Sequence, residues 1–120
     1  METRKLLFLL RQAPYGTSHA LEALEAVLVA GVFEQQVAVL FRDEGVWQLL
    51  DGQDGEALAT RTVSKVLQAL PHYDVDALYV CAESLARRGL SVDDLVLPVQ
   101  ALDAAAQNAL MAHQHAVVND

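Results

Sequence analysis

In Ala77-Leu78-Tyr79-Val80-Cys81-Ala82-Glu83-Ser84-Leu85-Ala86-Arg87-Arg88-Gly89 a strand-like pattern gives way to a helix-like one with no turn residues between them. Ala77 to Val80 is a short apolar run, read as a strand that ends at Cys81. Leu85 to Arg88 reads as a short helix, and Gly89 ends it. The chain's only cysteine therefore falls at the junction where a strand runs straight into a helix. A strand followed directly by a helix is the repeating unit of α/β folds.

The flanks repeat that unit. Toward the N-terminus, Leu6 to Leu10 is an apolar run of strand length, buried on both faces as parallel sheets require. Ala13-Pro14-Tyr15-Gly16-Thr17-Ser18 is turn chemistry, and Thr17 or Ser18 can cap the helix that follows. Leu21, Leu24 and Leu28 recur there at helical spacing, widened by Ala20, Val27 and Gly31, with Gly31 as the end signal. Gln36 to Phe41 is a second strand, and Gly45 to Leu50 forms one helical turn. Asp51-Gly52-Gln53-Asp54-Gly55 is an exposed turn. Val63, Val66, Leu67 and Leu70 mark a second helix, stopped by Pro71.

Beyond Gly89, Leu95 to Val99 reads as a fourth strand, placed near an edge by Pro98. Asp103 caps a helix running to about His113, and Ala116-Val117-Val118 is a final strand. Strands alternating with helices predict one α/β domain over 1–120, with a mostly parallel sheet and helices on both faces. The strand order is not readable at this level.

Composition narrows the function. Eight basic against sixteen acidic residues leave a formal net charge of −8, which repels phosphate backbones. Direct contact with nucleic acid is not expected. One cysteine excludes an internal disulfide, and a lone thiol suits a reducing compartment. The apolar run after Lys5 is too short for a signal segment or a membrane span, so the expected location is the cytoplasm, with no membrane contact.

In a parallel sheet, function gathers at the carboxyl ends of the strands. After the first strand there is no G-x-G-x-x-G and no G-x-x-x-x-G-K-[ST], so neither a dinucleotide nor a nucleotide site is supported. No cofactor is expected. His113 and His115 lie one residue apart, with no third ligand beside them, and Asp51, Asp54 and Glu56 lack calcium-loop spacing; no metal site is expected. Gly45-Val46-Trp47-Gln48-Leu49 suits either core packing or a subunit interface. With Val46 and Trp47 read as exposed, the isolated chain is expected to self-associate or to be poorly soluble.

Cys81 is the candidate catalytic residue, and it has two readings. It is either an inert thiol closing a core strand or a reactive one at a helix start. Free N–H groups at a helix N-terminus favour a thiolate, and the Glu83 carboxylate opposes it.

Three segments resemble the DsrE/DsrF-like family, within it the TusC/DsrF branch. They are Ala13-Pro14-Tyr15-Gly16-Thr17, then Asp43-Glu44-Gly45-Val46-Trp47-Gln48-Leu49-Leu50 with Gly52-Gln53. The third is Tyr73-Asp74-Val75 leading to Val80-Cys81-Ala82-Glu83-Ser84-Leu85-Ala86-Arg87-Arg88-Gly89-Leu90. The resemblance implies a three-layer α/β/α domain with a five-stranded parallel sheet. It also implies a heterohexamer with two related subunits, of the TusB/DsrH and TusD/DsrE types, that passes sulfur as cysteine persulfide between carrier proteins. The end product is then the 2-thio group of tRNA wobble uridine, with sulfur oxidation as the alternative. Cys81 and Gly89 match the spacing around the carrier cysteine of the TusD/DsrE type. In the TusC/DsrF branch the implied role is mainly structural, with sulfur carried on Cys81 as the alternative. A Cys81→Ser change is then expected to leave assembly intact and to reduce flux modestly.

Overall fold

In a computed structural model of the chain, the residues described are 4–13, 19–33, 35–50, 63, 65–75 and 77–119. Strand β1 (Lys5–Leu10) leads to helix α1 (His19–Val32), then β2 (Gln36–Phe41) and a 3-10 segment, Asp43–Leu49. Helix α2 includes residues 65–69 and passes into a 3-10 turn, Leu70–Tyr73. Then come β3 (Ala77–Cys81), α3 (Ala82–Arg87), a 3-10 turn at Val92–Asp94, β4 (Gln100–Leu102), α4 (Ala104–Ala112) and β5 (Ala116–Asn119).

The five strands form one sheet in the order β4-β3-β2-β1-β5, and every pairing is parallel. The fold is therefore the expected parallel α/β class. The inner strands β1, β2 and β3 are short and apolar on both faces, because both of their faces are covered. Phe8, Leu10, Val37, Val39, Phe41, Leu78 and Val80 pack with α1 and α2 on one face. Leu7, Leu9, Ala38 and Leu40 pack on the other, against Leu110 and Met111 of α4. The chain steps from β1 to β4 through neighbouring strands. It then returns by α4 across the opposite face to reach β5, beside β1. A right-handed crossover in the reverse direction lands on the opposite face, which is why α4 packs there while the described residues of α1 and α2 pack on the first face.

Several local expectations change. Gly31 does not end α1, which continues to Val32. A Cβ there would lie 2.8 Å from the Tyr73 carbonyl oxygen, so the glycine permits α1 to approach the 3-10 turn after α2. The helical turn expected from Gly45 is a longer 3-10 segment starting at Asp43. A Cβ on Gly45 would meet the Leu10 carbonyl at 2.0 Å, so only glycine lets this segment lie under the end of β1. Val46 is buried rather than exposed, as are Gly45, Gln48 and Leu49, while Trp47 is half-buried.

The fourth strand is displaced. Leu95 to Val99 is not a ladder strand; β4 is Gln100–Leu102, paired with Tyr79 to Cys81. Ser91 and Asp94 form a capping box that bends the chain into a 3-10 turn, and Leu95 then bridges antiparallel to Leu50. Pro98 has no N–H for the ladder. The apolar alternation of Leu95, Leu97 and Val99 is real, since all three pack on the core, but as a half-buried loop. The expected turns at 14–18 and 51–55, with their capping and carboxylate residues, lie outside the described residues.

Candidate functional site: the Cys81 cleft

Cys81 is the last residue of β3 and also the N-cap of α3. The Ser84 N–H donates to its Sγ at 3.4 Å, a bond normally taken by a serine or aspartate oxygen at this position. The thiol sits where the carboxyl ends of β2, β3 and β4 converge. Arg42, Asp43, Glu83, Ser84, Arg87, Ala104, Gln107 and Asn108 complete a polar cleft of about 250 Å³ around it.

Local structure explains how these groups meet. Arg42 follows β2, and its N–H donates to the Leu10 carbonyl at 3.0 Å. Asp43 takes a left-handed backbone (φ 52°), a conformation aspartate tolerates better than most residues. Its N–H then donates to Ser84 Oγ at 3.0 Å, tying the 3-10 segment to α3. Asp103 caps α4 by accepting from the Ala106 N–H at 2.8 Å. That brings Gln107 into the cleft wall, where it is 5% exposed and its Nε2 donates to the Leu102 carbonyl at 3.0 Å.

The electrostatics of the thiol follow. Burial raises the Cys81 pKa, since Cys81 is only 6% exposed. Hydrogen bonds from the Ser84 hydroxyl and N–H, the Gln107 amide and the Glu83 N–H act the other way and prevail. The net pKa lies below the ordinary thiol value. Glu83 was expected to oppose ionisation. Instead its carboxylate is exposed and ion-paired with Arg87, while its backbone N–H supports the thiolate. Arg88 pairs with Glu44 at 2.8 Å and donates to the Ser84 carbonyl at 3.0 Å, so both arginines serve contacts within the chain. Gly89 has φ 68°, the left-handed residue that ends α3.

Cys81 thus stands at the expected place, the carboxyl end of a strand flanked on both sides. Arg42, Ser84, Gln107 and Asn108 were not anticipated as site residues. Ser84, three residues after the thiol, carries the spacing of a capped first turn. Arg42 and Gln107 come from other elements and carry no local signal. The remaining titratable candidates do not converge. His113 Nδ1 contacts the Ala109 carbonyl and His115 Nδ1 accepts from the Lys5 N–H. Among the described residues no group of three metal-ligating side chains forms.

Fold and cleft together define a parallel α/β domain organised around one hydrogen-bonded cysteine at the carboxyl edge of its sheet. The sequence places it further. Residues 4–119 match the DsrE/DsrF-like family, and the chain belongs to that family. It is 47% identical over 93 residues to the intracellular sulfur oxidation protein DsrF of Allochromatium vinosum, spanning 78% of this chain and 68% of that one. It is 40% identical over 116 residues to a TusC homolog of Pseudomonas aeruginosa, spanning 97% and 98% of the two chains. Among solved structures, the ychN protein from E. coli superposes with a TM-score of 0.83 over 98% of this chain at 19% identity, a likeness of fold.

Proposed function

We propose that this chain is a subunit of a sulfur-relay assembly, in which persulfide sulfur passes between carrier proteins, and that Cys81 takes part in the transfer. Family membership and the full-length similarity to TusC homologs support the relay role. The observation that carries the role of Cys81 is its hydrogen-bond set, which lowers the thiol pKa beside a polar cleft. A transfer cysteine must ionise near neutral pH, and this set promotes that. The partners are two related subunits of the TusB/DsrH and TusD/DsrE types, in a cytoplasmic heterohexamer. The end use is 2-thiolation of tRNA wobble uridine. The P. aeruginosa TusC homolog, aligned along 98% of its length, supports that use, and the A. vinosum DsrF protein, 47% identical along 68% of its length, supports the alternative, sulfur oxidation. With a net charge of −8, this subunit leaves RNA contact to another component.

The second reading is a purely structural subunit. The 6% exposure of Cys81 and the strongly exposed Phe33 favour it. Reconstitution with the two related subunits and a persulfide donor separates the two. Mass spectrometry is expected to find one added sulfur on Cys81, and Cys81→Ser to assemble normally without taking it up. Sulfur passing through the assembly with Cys81 never labelled would leave only the structural role.

A further inference from the structure

The cleft carries one charge that its surroundings do not balance. Arg11 pairs with Asp43, Arg87 with Glu83 and Arg88 with Glu44. Arg42 is partly buried in the cleft wall and has no carboxylate in ion-pair contact among the described residues. In a chain with twice as many acids as bases, a partly desolvated cation without a partner is an unusual expense. Its backbone position is fixed from both sides, by the bond to Leu10 and by the Asp43–Ser84 tie. Gln107, 95% buried in the same wall, is already engaged through its amide N–H groups, with the Leu102 carbonyl and the Cys81 sulfur. A partly buried cation without an ion pair therefore lines the same cleft as the thiol, a space of about 250 Å³ with room for an added sulfur atom beyond Sγ.

We propose that the Cys81 cleft is built to hold a persulfide on Cys81, with Arg42 as the counter-ion of its terminal sulfur. The inference rests on Cys81 accepting sulfur. The Cys81 thiolate attacks the outer sulfur of a donor hydropersulfide. The new bond joins Sγ to that sulfur, the donor's S–S bond breaks, and the donor leaves as a thiolate with the electron pair. The hydrogen stays on the transferred sulfur, which then loses it to water, and the resulting anion lies against Arg42. The charged or titratable groups around it are Arg42 and Asp43 after β2 and Cys81, Glu83 and Arg87 of the β3–α3 junction; α4 contributes only the neutral Ala104, Gln107 and Asn108.

The test treats the full chain with sodium polysulfide, removes the excess and follows alkylation of the Cys81 persulfide against pH by mass spectrometry. Arg42→Gln is expected to raise the pH midpoint by roughly 0.5–1 unit, the effect of one nearby charge, and Arg42→Lys to restore most of it. Should Arg42→Gln lose its native circular dichroism, salt replaces it: screening is expected to raise the wild-type midpoint. An unchanged midpoint in Arg42→Gln, or a salt-independent one in the wild type, overturns the role of Arg42 while leaving sulfur uptake standing. A wild-type chain that takes up no sulfur overturns the inference together with the transfer role of Cys81.

Discussion

Because Cys81 both closes β3 and caps α3, its sulfur takes hydrogen bonds that a thiol in mid-strand would not reach. Burial alone would keep the proton on; the Ser84, Gln107 and Glu83 donors reverse the balance. The thiolate is the charged form and its folded pKa is depressed. These bonds therefore add stability as pH rises from the folded pKa toward the unfolded thiol value, and that stability is lost as pH falls back through the folded pKa. The same sign governs reactivity. Iodoacetamide alkylation of Cys81 is expected to reach half-maximum at a lower pH than in a cysteine peptide, and Ser84→Ala to move the midpoint upward. A midpoint at or above that of the peptide would show that burial prevails.

At the scale of elements, α4 has the most to do with the least material. Only Leu110 and Met111 of this nine-residue helix pack on the second sheet face, so its start matters. The Asp103 carboxylate satisfies the Ala106 N–H at 2.8 Å and sits favourably at the positive end of the helix. Asp103→Ala is expected to cost about 1 kcal/mol, lowering the melting temperature by roughly 3–5 °C in calorimetry. Since α4 carries Gln107, the Cys81 alkylation midpoint is expected to rise with it. A stability loss with no change at Cys81 would show that the helix start and the cleft are not coupled.

Among the described residues, and besides Tyr73 and Val92, exposed large apolar side chains gather in two regions, and neither is the one expected around Val46. One is the end of α1, where Val29, Val32 and Phe33 are 55%, 58% and 70% exposed. The other is the edge strand β5, with Val117 and Val118 exposed on opposite faces. No charge, proline or bulge protects that short edge among its described residues, an arrangement typical of a surface that is covered in an assembly. The double change Val32→Ser, Phe33→Ser is expected to weaken association with the related subunits at least tenfold, about 1.4 kcal/mol, at unchanged melting temperature. Sedimentation of reconstituted mixtures measures it. Assembly unaffected by the change would move the interface elsewhere, first to β5.

Local pattern alone determined much of this protein. The apolar runs at Leu6–Leu10, Gln36–Phe41 and Ala77–Val80, the helical stripe of α1 and the Asp103 cap all act within a few residues, and each forms where its spacing indicates. The thiol at the end of β3 was legible for the same reason. Tertiary structure decided the rest, because it depends on groups far apart in the chain. The strand order follows from the return of α4 across the sheet. β4 begins at Gln100 because the capping box and Pro98 hold back the ladder, although Leu95, Leu97 and Val99 alternate like a strand. Gly31 and Gly45 answer to backbone that approaches from other elements. The ionisation of Cys81 was decided last of all. It depends on which atoms of Glu83 face the sulfur, and on Gln107, which reaches the sulfur only after β4 and α4 have folded against β3.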